Sequence, residues 1–467
     1  MDNRVNLKKF YKFFVSLLIL GLLTLTYAHV WLSIYNFQTE KVGIDADFIF
    51  KYKGNWLIIA LYFGILLLFS IVFGSLKIGY LKMSNIIYSQ ILTLLCVNFI
   101  TYFQICLITR MIVDIIPILL LTGIEIIIVT IWAFLAQLAY KKLFPPRNLC
   151  IIYGSSLATE LVYKMSTRFD KYRICYSMNA DSGLDAIKET IPTFEGVILC
   201  DIDSQIRNDI LKFCYEKSIR TYVTPKLSDI IIRSAENIDL FDTPILLCRN
   251  NGLDLWERAV KRIFDILLSF IAIVIFSPIL LIIALAIKIY DKGPVLFKQD
   301  RVTKDGKIFE IYKFRSMIVN AEKDGEVIPA IDKDPRITPI GKVIRKLRVD
   351  ELPQLFNILL GDMSIVGPRP ERFEHVEEYS KTIPEFKYRL KVKGGLTGYA
   401  QVFGKYNTSA YDKLRLDLMY IQHFSFLLDL KLIIATIKIL FIKDSTSGFD
   451  IEKSANMGVD IKDNKSK

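Results

Sequence analysis

Two neighbouring carboxylates, Asp350 and Glu351, stand in the run Arg345-Lys346-Leu347-Arg348-Val349-Asp350-Glu351-Leu352-Pro353-Gln354-Leu355. Adjacent acids repel, so both stay ionised only where a cation stands close. The arginines can supply that cation, and so can a bound Mg²⁺. A carboxylate held ionised among cations is suited to attack phosphorus and poorly suited to a dry core.

Other cations are spaced for the same chemistry. Phe309–Met317 alternates like a strand, which puts Lys313 and Arg315 on one face. Two cations on a short strand can hold a diphosphate, although a solvated sheet face reads the same way. Gly367-Pro368-Arg369-Pro370 locks an arginine between two prolines, which suits a planar grip on phosphate; the plainer reading is a turn. Gly394-Gly395-Leu396-Thr397-Gly398-Tyr399-Ala400-Gln401 is a Gly-rich loop whose backbone can come close to a nucleotide, with Thr397, Gly398 and Gln401 as candidate contacts.

Local signals say how the carboxylates are positioned. Thr338-Pro339 reads as an N-cap and first turn, opening a helix over Ile340–Leu347. Arg345 and Arg348 then share a helix face at i, i+3. Pro353 fits the first turn of a second helix, Gln354–Leu360, which Gly361 ends. The acids would sit near a helix N-terminus, a position that favours a deprotonated Asp350. The alternative is a capping pair with surface ion pairs, worth only ~0–1 kcal/mol.

The wider chain is unusually apolar. Its 467 residues are 52% hydrophobic, with mean hydropathy +0.36, which points to membrane segments. The net charge of +12 suits anionic lipid or phosphorylated substrates. Nucleic acid is excluded as a partner because the apolar runs read as membrane helices. Seven dispersed cysteines lack CxxC spacing and read as reduced and structural, with no zinc site.

Four apolar runs, Phe13–Tyr35, Trp56–Leu76, Ile86–Ile108 and Ile112–Tyr140, reach the ~20 residues that a spanning helix needs. Basic residues before the first run, between the second and third, and after the fourth place those sides in the cytoplasm. Asn36–Asn55 is then the outer loop. The first run is too long for a cleaved signal peptide and no small-x-small site follows it. Pro145-Pro146 ends the bundle. From Asn148 to about Asn250 the pattern changes to strands at Leu149–Tyr153, Gly196–Cys200 and Thr221–Val223 and helices at Leu157–Arg168 and Ile206–Lys217, an α/β unit. Only Gly154 stands where a dinucleotide fingerprint needs several glycines, so a scaffold or regulatory role is the better reading.

Ile263–Tyr290 is apolar, yet Arg258, Lys261 and Arg262 precede it and Lys288, Lys292, Lys298 and Arg301 follow it. Basic flanks at both ends conflict with a simple crossing. Ser277-Pro278 at its centre predicts a kink, with the serine hydroxyl helping to satisfy the loosened backbone. The expectation is a hairpin-like re-entrant helix that enters and leaves on the cytoplasmic face, against a fifth, kinked span. Phe424–Ile442 is amphipathic and suits either a membrane surface or a core. The domains are read as 1–145 four-helix transmembrane bundle, 146–252 Rossmann-like α/β cytoplasmic domain, 253–443 re-entrant helix with α/β catalytic domain, and 444–467 polar tail.

Taken in order, the motifs resemble the bacterial sugar transferase family, the polyprenyl-phosphate hexose-1-phosphate transferases, over roughly Trp256–Lys443. The resemblance rests on Lys261-Arg262-Ile263-Phe264-Asp265, Ser277-Pro278, Gly293-Pro294-Val295, Gln299-Asp300-Arg301, Lys313 to Met317, Asp334 to Thr338, Asp350 to Gln354, Gly361 to Arg372 and Leu396-Thr397-Gly398. The spans and α/β unit resemble its large, multi-domain branch. Gly394 stands where the family usually has proline. The resemblance implies transfer of a hexose 1-phosphate from a UDP-sugar to undecaprenyl phosphate with release of UMP. That is the first membrane step of exopolysaccharide, capsule or O-antigen assembly. It implies Asp350 as nucleophile through a covalent aspartyl-phosphosugar, and Glu351 holding Mg²⁺. Lys313, Arg315, Arg345, Arg348 and Arg369 are the implied phosphate clamps. It also implies a multi-pass protein of the bacterial cytoplasmic (inner) membrane with its catalytic domain on the cytoplasmic face. The sequence leaves the sugar and the oligomeric state, a homo-oligomer included, open. The rival classes are a catalytically silent membrane scaffold or nucleotide sensor of polysaccharide export, and a multi-span transferase with its carboxylates in loops between spans.

Overall fold

The computed structural model describes residues 3–35, 53–155, 157–240, 242–248, 252–319, 321, 334–405 and 408–440. The outer loop falls almost wholly outside these residues, and the polar tail does so entirely. The chain divides into two compact units, Met1–Thr224 with Asp450–Lys467, and Pro225–Phe449.

In the first unit, α1 (Asn3–Val30) runs into a π-helical turn at Trp31–Tyr35, followed by α2 (Lys53–Phe73), α3 (Met83–Thr109) and α4 (Ile116–Leu143). Their shared core includes Leu23, Tyr27, Tyr62, Leu66, Leu94 and Val129. Large apolar side chains such as Leu107, Leu119 and Ile127 face outward as well. Helices that are apolar all round belong in hydrocarbon. All four are long and apolar enough to cross a membrane.

The α/β part follows: β1 (Arg147–Tyr153), α5 (Leu157–Ser166), β2 (Tyr172–Asn179), α6 (Leu184–Thr190), β3 (Gly196–Cys200), α7 (Ser204–Glu216) and β4 (Arg220–Val223). The strands form one parallel sheet in the order β2-β1-β3-β4. Gly154 is needed where β1 meets β3, because a Cβ there would lie 2.4 Å from the Asp201 carbonyl.

The second unit begins with α8 (Leu227–Arg233) and the hairpin β5 (Glu236–Leu240) and β6 (Thr243–Leu247). Leu227 and Ile230 are buried with Leu414 and Leu418, so α8 packs with the residues that follow it. Next come α9 (Leu255–Asp291), the antiparallel pair β7 (Leu296–Val302) and β8 (Ile308–Phe314), α10 (Pro339–Lys346) and α11 (Gln354–Leu360). The parallel pair β9 (Ser364–Val366) and β10 (Gly395–Thr397) encloses α12 (Phe373–Thr382) in sequence. The short α13 (Tyr399–Phe403) leads to α14 (Ala410–Gln422) and α15 (Phe426–Leu440).

Helix α9 is continuous through the expected kink position. It is a single 37-residue helix that continues through Pro278, ~55 Å long at 1.5 Å per residue. Pro278 has no N–H for the Val274 carbonyl four residues earlier. The Ser277 hydroxyl donates to that carbonyl instead, at 2.8 Å, which is why the helix survives its proline. One face of α9 packs on its own unit almost end to end. Arg262 donates to the carbonyls of Ile358 and Leu359 at 2.6 and 2.7 Å. The buried Asp265 accepts from the Ser364 hydroxyl and the Ile365 amide. Further along, Ala272 and Ile273 touch the Phe309–Ile358 cluster, and Ile283 and Ile287 touch Phe314 and Ile344. The opposite face presents Phe270, Ile271, Val274, Ile275, Ile279 and Ile282, all exposed. Each such side chain left in water forgoes about 1.5–3 kcal/mol of burial, so this stripe belongs against lipid.

Candidate active site

The acids lie where α10 hands over to α11. Thr338 caps α10, its hydroxyl accepting from the Gly341 amide at 2.9 Å, with Pro339 in the first turn. Helix α10 stops at Lys346, and Arg348 takes a left-handed backbone, φ +54°. The chain then makes a 3₁₀ turn, Val349–Glu351, before Pro353 opens α11. Gly361 ends α11 at φ +97°. Asn357 fastens α11 under β8: its amide donates to the Glu310 carbonyl at 2.7 Å, and its carbonyl accepts from the Tyr312 amide at 2.9 Å. The neighbouring Lys313 is thereby set opposite Glu351.

Glu351 is held by two cations on one oxygen. Lys313 Nζ lies 2.9 Å and Arg369 Nη2 2.8 Å from its Oε1. Burial opposes the Glu351 charge, but Arg369 and Lys313 outweigh it and hold this carboxyl well below the usual range. Burial lowers the Lys313 pKa, with Glu351 offsetting part of the shift. Asp350 moves the other way. Burial and then the Glu351 charge raise its carboxyl, while Lys313 and Arg345 pull it back. The two adjacent acids therefore carry opposed shifts.

Arg369 owes its position to its turn. Gly367 N donates to the Thr397 carbonyl and Gly395 N to the Pro368 carbonyl, both at 2.8 Å. A Cβ on Gly395 would stand 2.1 Å from Gly367 N, and one on Gly398 would stand 2.1 Å from the Gly367 carbonyl. The glycines of the expected nucleotide loop therefore serve close packing against the arginine turn. Thr397 is bonded to the Thr436 hydroxyl, and Gln401 Nε2 donates to the Leu396 carbonyl. None of these three is brought to the acid pair by a bond. Two arginines missed by the sequence reading support the turn from behind. Arg389 Nη2 donates to the Arg369 carbonyl at 3.0 Å, and Arg301 Nη1 donates to the Pro370 carbonyl at 3.4 Å. Arg389 is itself held by Asp417 at 2.8 Å, with both side chains buried. Burial raises Asp417 to about 6, against the pull of Arg389. Burial, helped by Arg369, lowers Arg301 to about 10. Arg301 lay within a quoted motif, whereas Arg389 had no signal beyond a basic run.

Two expected clamps are bonded to neither acid. Strand β8 ends at Phe314, so the alternation that put Arg315 beside Lys313 does not extend to it. Arg315 is buried and paired with Asp291 at the end of α9. Gly293 admits it, since a Cβ there would fall 2.1 Å from the guanidinium. Arg348 lies past the end of α10, loses the shared helix face, and is exposed, bonded to neither acid. Arg345 remains near enough for its charge to act on Asp350.

The donor set fits a Mg²⁺ that is held mostly by a substrate. That ion prefers one or two carboxylates with phosphates and water completing an octahedron. Asp350 and Glu351 supply two carboxylates, and no group of three or more His, Cys, Asp or Glu side chains forms a cage among the described residues.

Comparison with known proteins points to the same region. A family model described as bacterial sugar transferase matches residues 256–443. A UDP-N-acetylgalactosamine-undecaprenyl-phosphate N-acetylgalactosaminephosphotransferase of Aeromonas hydrophila is 48% identical over 182 residues, 38% of this chain and 43% of that protein. A UDP-glucose:undecaprenyl-phosphate glucose-1-phosphate transferase of Klebsiella pneumoniae is 38% identical over 267 residues, 56% of each chain. One of the same name from Caulobacter vibrioides is 39% identical over 229 residues, 47% of this chain and 85% of that protein. The chain thus spans about half the length of the first two relatives and most of the third.

Proposed function

From the premise that this chain belongs to the bacterial sugar transferase family, we propose that it transfers a hexose 1-phosphate from a UDP-sugar to undecaprenyl phosphate, releasing UMP. The observation that carries this reading is Glu351 clamped by Lys313 and Arg369 beside a less strongly stabilised Asp350. Relatives named for both glucose and N-acetylgalactosamine leave the sugar to experiment.

An Asp350 carboxylate oxygen attacks the sugar-bearing phosphorus. The bond from that phosphorus to the bridging oxygen breaks, and UMP leaves with the electron pair. An oxygen of undecaprenyl phosphate then attacks the same phosphorus, the bond to Asp350 breaks, and the carboxylate is restored. Lys313, Arg369 and Arg345 offset charge on the phosphates, and positioning and charge stabilisation carry most of phosphoryl-transfer catalysis. Glu351 fixes Lys313 and Arg369 in place before substrate arrives. Asp350 and Glu351 would hold a Mg²⁺, which would neutralise charge on the diphosphate.

Contacts from Arg262 to Ile287 along α9 support re-entry, because both ends of the helix attach to one compact unit. Its exposed apolar face would dip into one leaflet, keeping the site at the interface where a lipid phosphate meets a soluble nucleotide sugar. With the sequence charge pattern, this supports a catalytic site on the cytoplasmic face of the bacterial inner membrane. The test is UMP release by the purified chain in nanodiscs with undecaprenyl phosphate and a panel of UDP-sugars. Release that depends on one donor and on the lipid supports the reading; no release with any donor removes it.

A further inference from the structure

The family match begins at residue 256, so it assigns nothing to the helical bundle. Inside that bundle lies a carboxyl group that the transfer reaction does not use. Glu125 of α4 is 0% exposed, in the middle of a helix long and apolar enough to cross a membrane. A bare charge there is costly, and intramembrane acids pair with a cation or stay neutral. The groups facing Glu125 are Tyr62 of α2, Asn98 of α3 and the hydroxyls of Thr122 and Thr26. Behind Tyr62, Tyr27 of α1 stacks ring on ring at 4.0 Å. The tyrosines are the titratable members of this set, and none of the set is a cation.

The hydrogen bonds count the protons. The Tyr62 oxygen lies 2.8 Å from Glu125 Oε1 and 3.2 Å from Asn98 Oδ1. Both neighbours are acceptors when Glu125 is ionised, yet a phenol has one proton to give. Asn98 Nδ2 donates to Glu125 Oε2 at 2.7 Å and to Thr122 Oγ1 at 2.8 Å, and Thr122 donates onward to the Ile118 carbonyl at 2.7 Å. If Glu125 carries a proton on Oε1, the ring of three closes: Glu125 donates to Tyr62, Tyr62 to Asn98 Oδ1, and Asn98 to Glu125 Oε2. If it does not, Tyr62 must choose, and an uncompensated charge is buried in hydrocarbon.

We propose that Glu125 is an exchangeable proton-binding site in the bundle interior, its proton shared through Tyr62 and Asn98 across α2, α3 and α4. A second observation points to exchange rather than a sealed contact. Other buried polar atoms in the bundle lack partners: the Tyr27 hydroxyl, the Thr101 hydroxyl and both amide atoms of Gln90. Gln90, Asn98 and Thr101 recur on α3 at spacings of eight and three, which put them on one helix face. Gln90 and Thr101, at most 1% exposed and without a hydrogen-bond partner, are where water would reach the ring of Asn98, Tyr62 and Glu125.

The test uses the full chain in lipid nanodiscs and infrared difference spectroscopy, which reads protonation without reference to catalysis. Wild type minus Glu125→Gln should show one carboxylic-acid carbonyl band at neutral pH, and that band should shift on transfer to D₂O. Loss of carboxylate bands instead, or an acid band unmoved by D₂O, overturns the proposal. If Glu125→Gln fails to fold, Tyr62→Phe serves. It should keep the acid band but move it to the position of a weaker hydrogen bond, and an unmoved band contradicts the shared proton.

Discussion

Arg389 donates a hydrogen bond from Nη2 to the backbone carbonyl of Arg369 at 3.0 Å, so a buried guanidinium holds the backbone of Arg369 from behind. Arg389 also pairs with Asp417, and both are almost fully buried. Removing one member of a buried pair strands the other charge, typically at about 3–5 kcal/mol. Arg389→Met should therefore lower the unfolding free energy by about that amount. The double variant Arg389→Met/Asp417→Leu should recover most of the stability while UMP release stays low, because Arg369 remains unsupported. Thermal unfolding and UMP release on the same preparations separate the two effects.

The clamp itself is tested by kinetics. Lys313→Met and Arg369→Met should each lower kcat/KM by about 10²–10³-fold, the range for one preorganised charge donor. Both act on Glu351 Oε1, so the double variant should lose less than the product of the single losses. Arg348→Ala, at an exposed position bonded to neither acid, should turn over near the wild-type rate.

The pH profile follows from the opposed acids. Asp350 must be ionised to attack, and burial with the Glu351 charge raises its pKa. Activity is then present above the raised value and lost as pH falls through it. The acid limb of kcat/KM should lie above the ordinary aspartate range. Glu351, held below the usual carboxylate range, stays ionised through that window. Arg345 pulls Asp350 down, so Arg345→Gln should shift the limb to higher pH; a shift to lower pH would contradict the assignment.

Helix α9 offers a test of topology. Cysteines placed at Arg258 and Lys304, near its two ends, should react with a membrane-impermeant thiol reagent from the same side. Labelling from opposite sides removes re-entry. Ser277→Ala should cost about 1–3 kcal/mol, since it strands the Val274 carbonyl that Pro278 cannot serve.

Much of this architecture can be read in the residues. Thr338-Pro339 and Gly361 mark the helix ends that bracket Asp350 and Glu351, because caps and left-handed turns are local. Period-2 alternation put Lys313 on the strand from which it meets Glu351, but it carried Arg315 one residue past the end of that strand. Spacing likewise put Arg348 on a helix that stops before it, since a left-handed turn at a non-glycine residue has little signature. The Gly-rich loop suggested a ligand, yet Gly395 and Gly398 answer to a backbone contact with Gly367 from a distant strand. Strand β2 was missed although Tyr172, Ile174, Tyr176 and Met178 alternate with Arg173, Cys175, Ser177 and Asn179. Arg389 and Asp417 come together only in three dimensions, as does the ring that joins Glu125, Tyr62 and Asn98.

The most direct measurement is chemical trapping. The full chain in nanodiscs, given UDP-sugar labelled in the sugar-bearing phosphate and no lipid acceptor, is quenched, digested and sequenced by mass spectrometry. The account expects the label on Asp350, its release on adding undecaprenyl phosphate, and no label in Asp350→Asn. Label on another residue, or lipid product formed at the wild-type rate by Asp350→Asn, would contradict it.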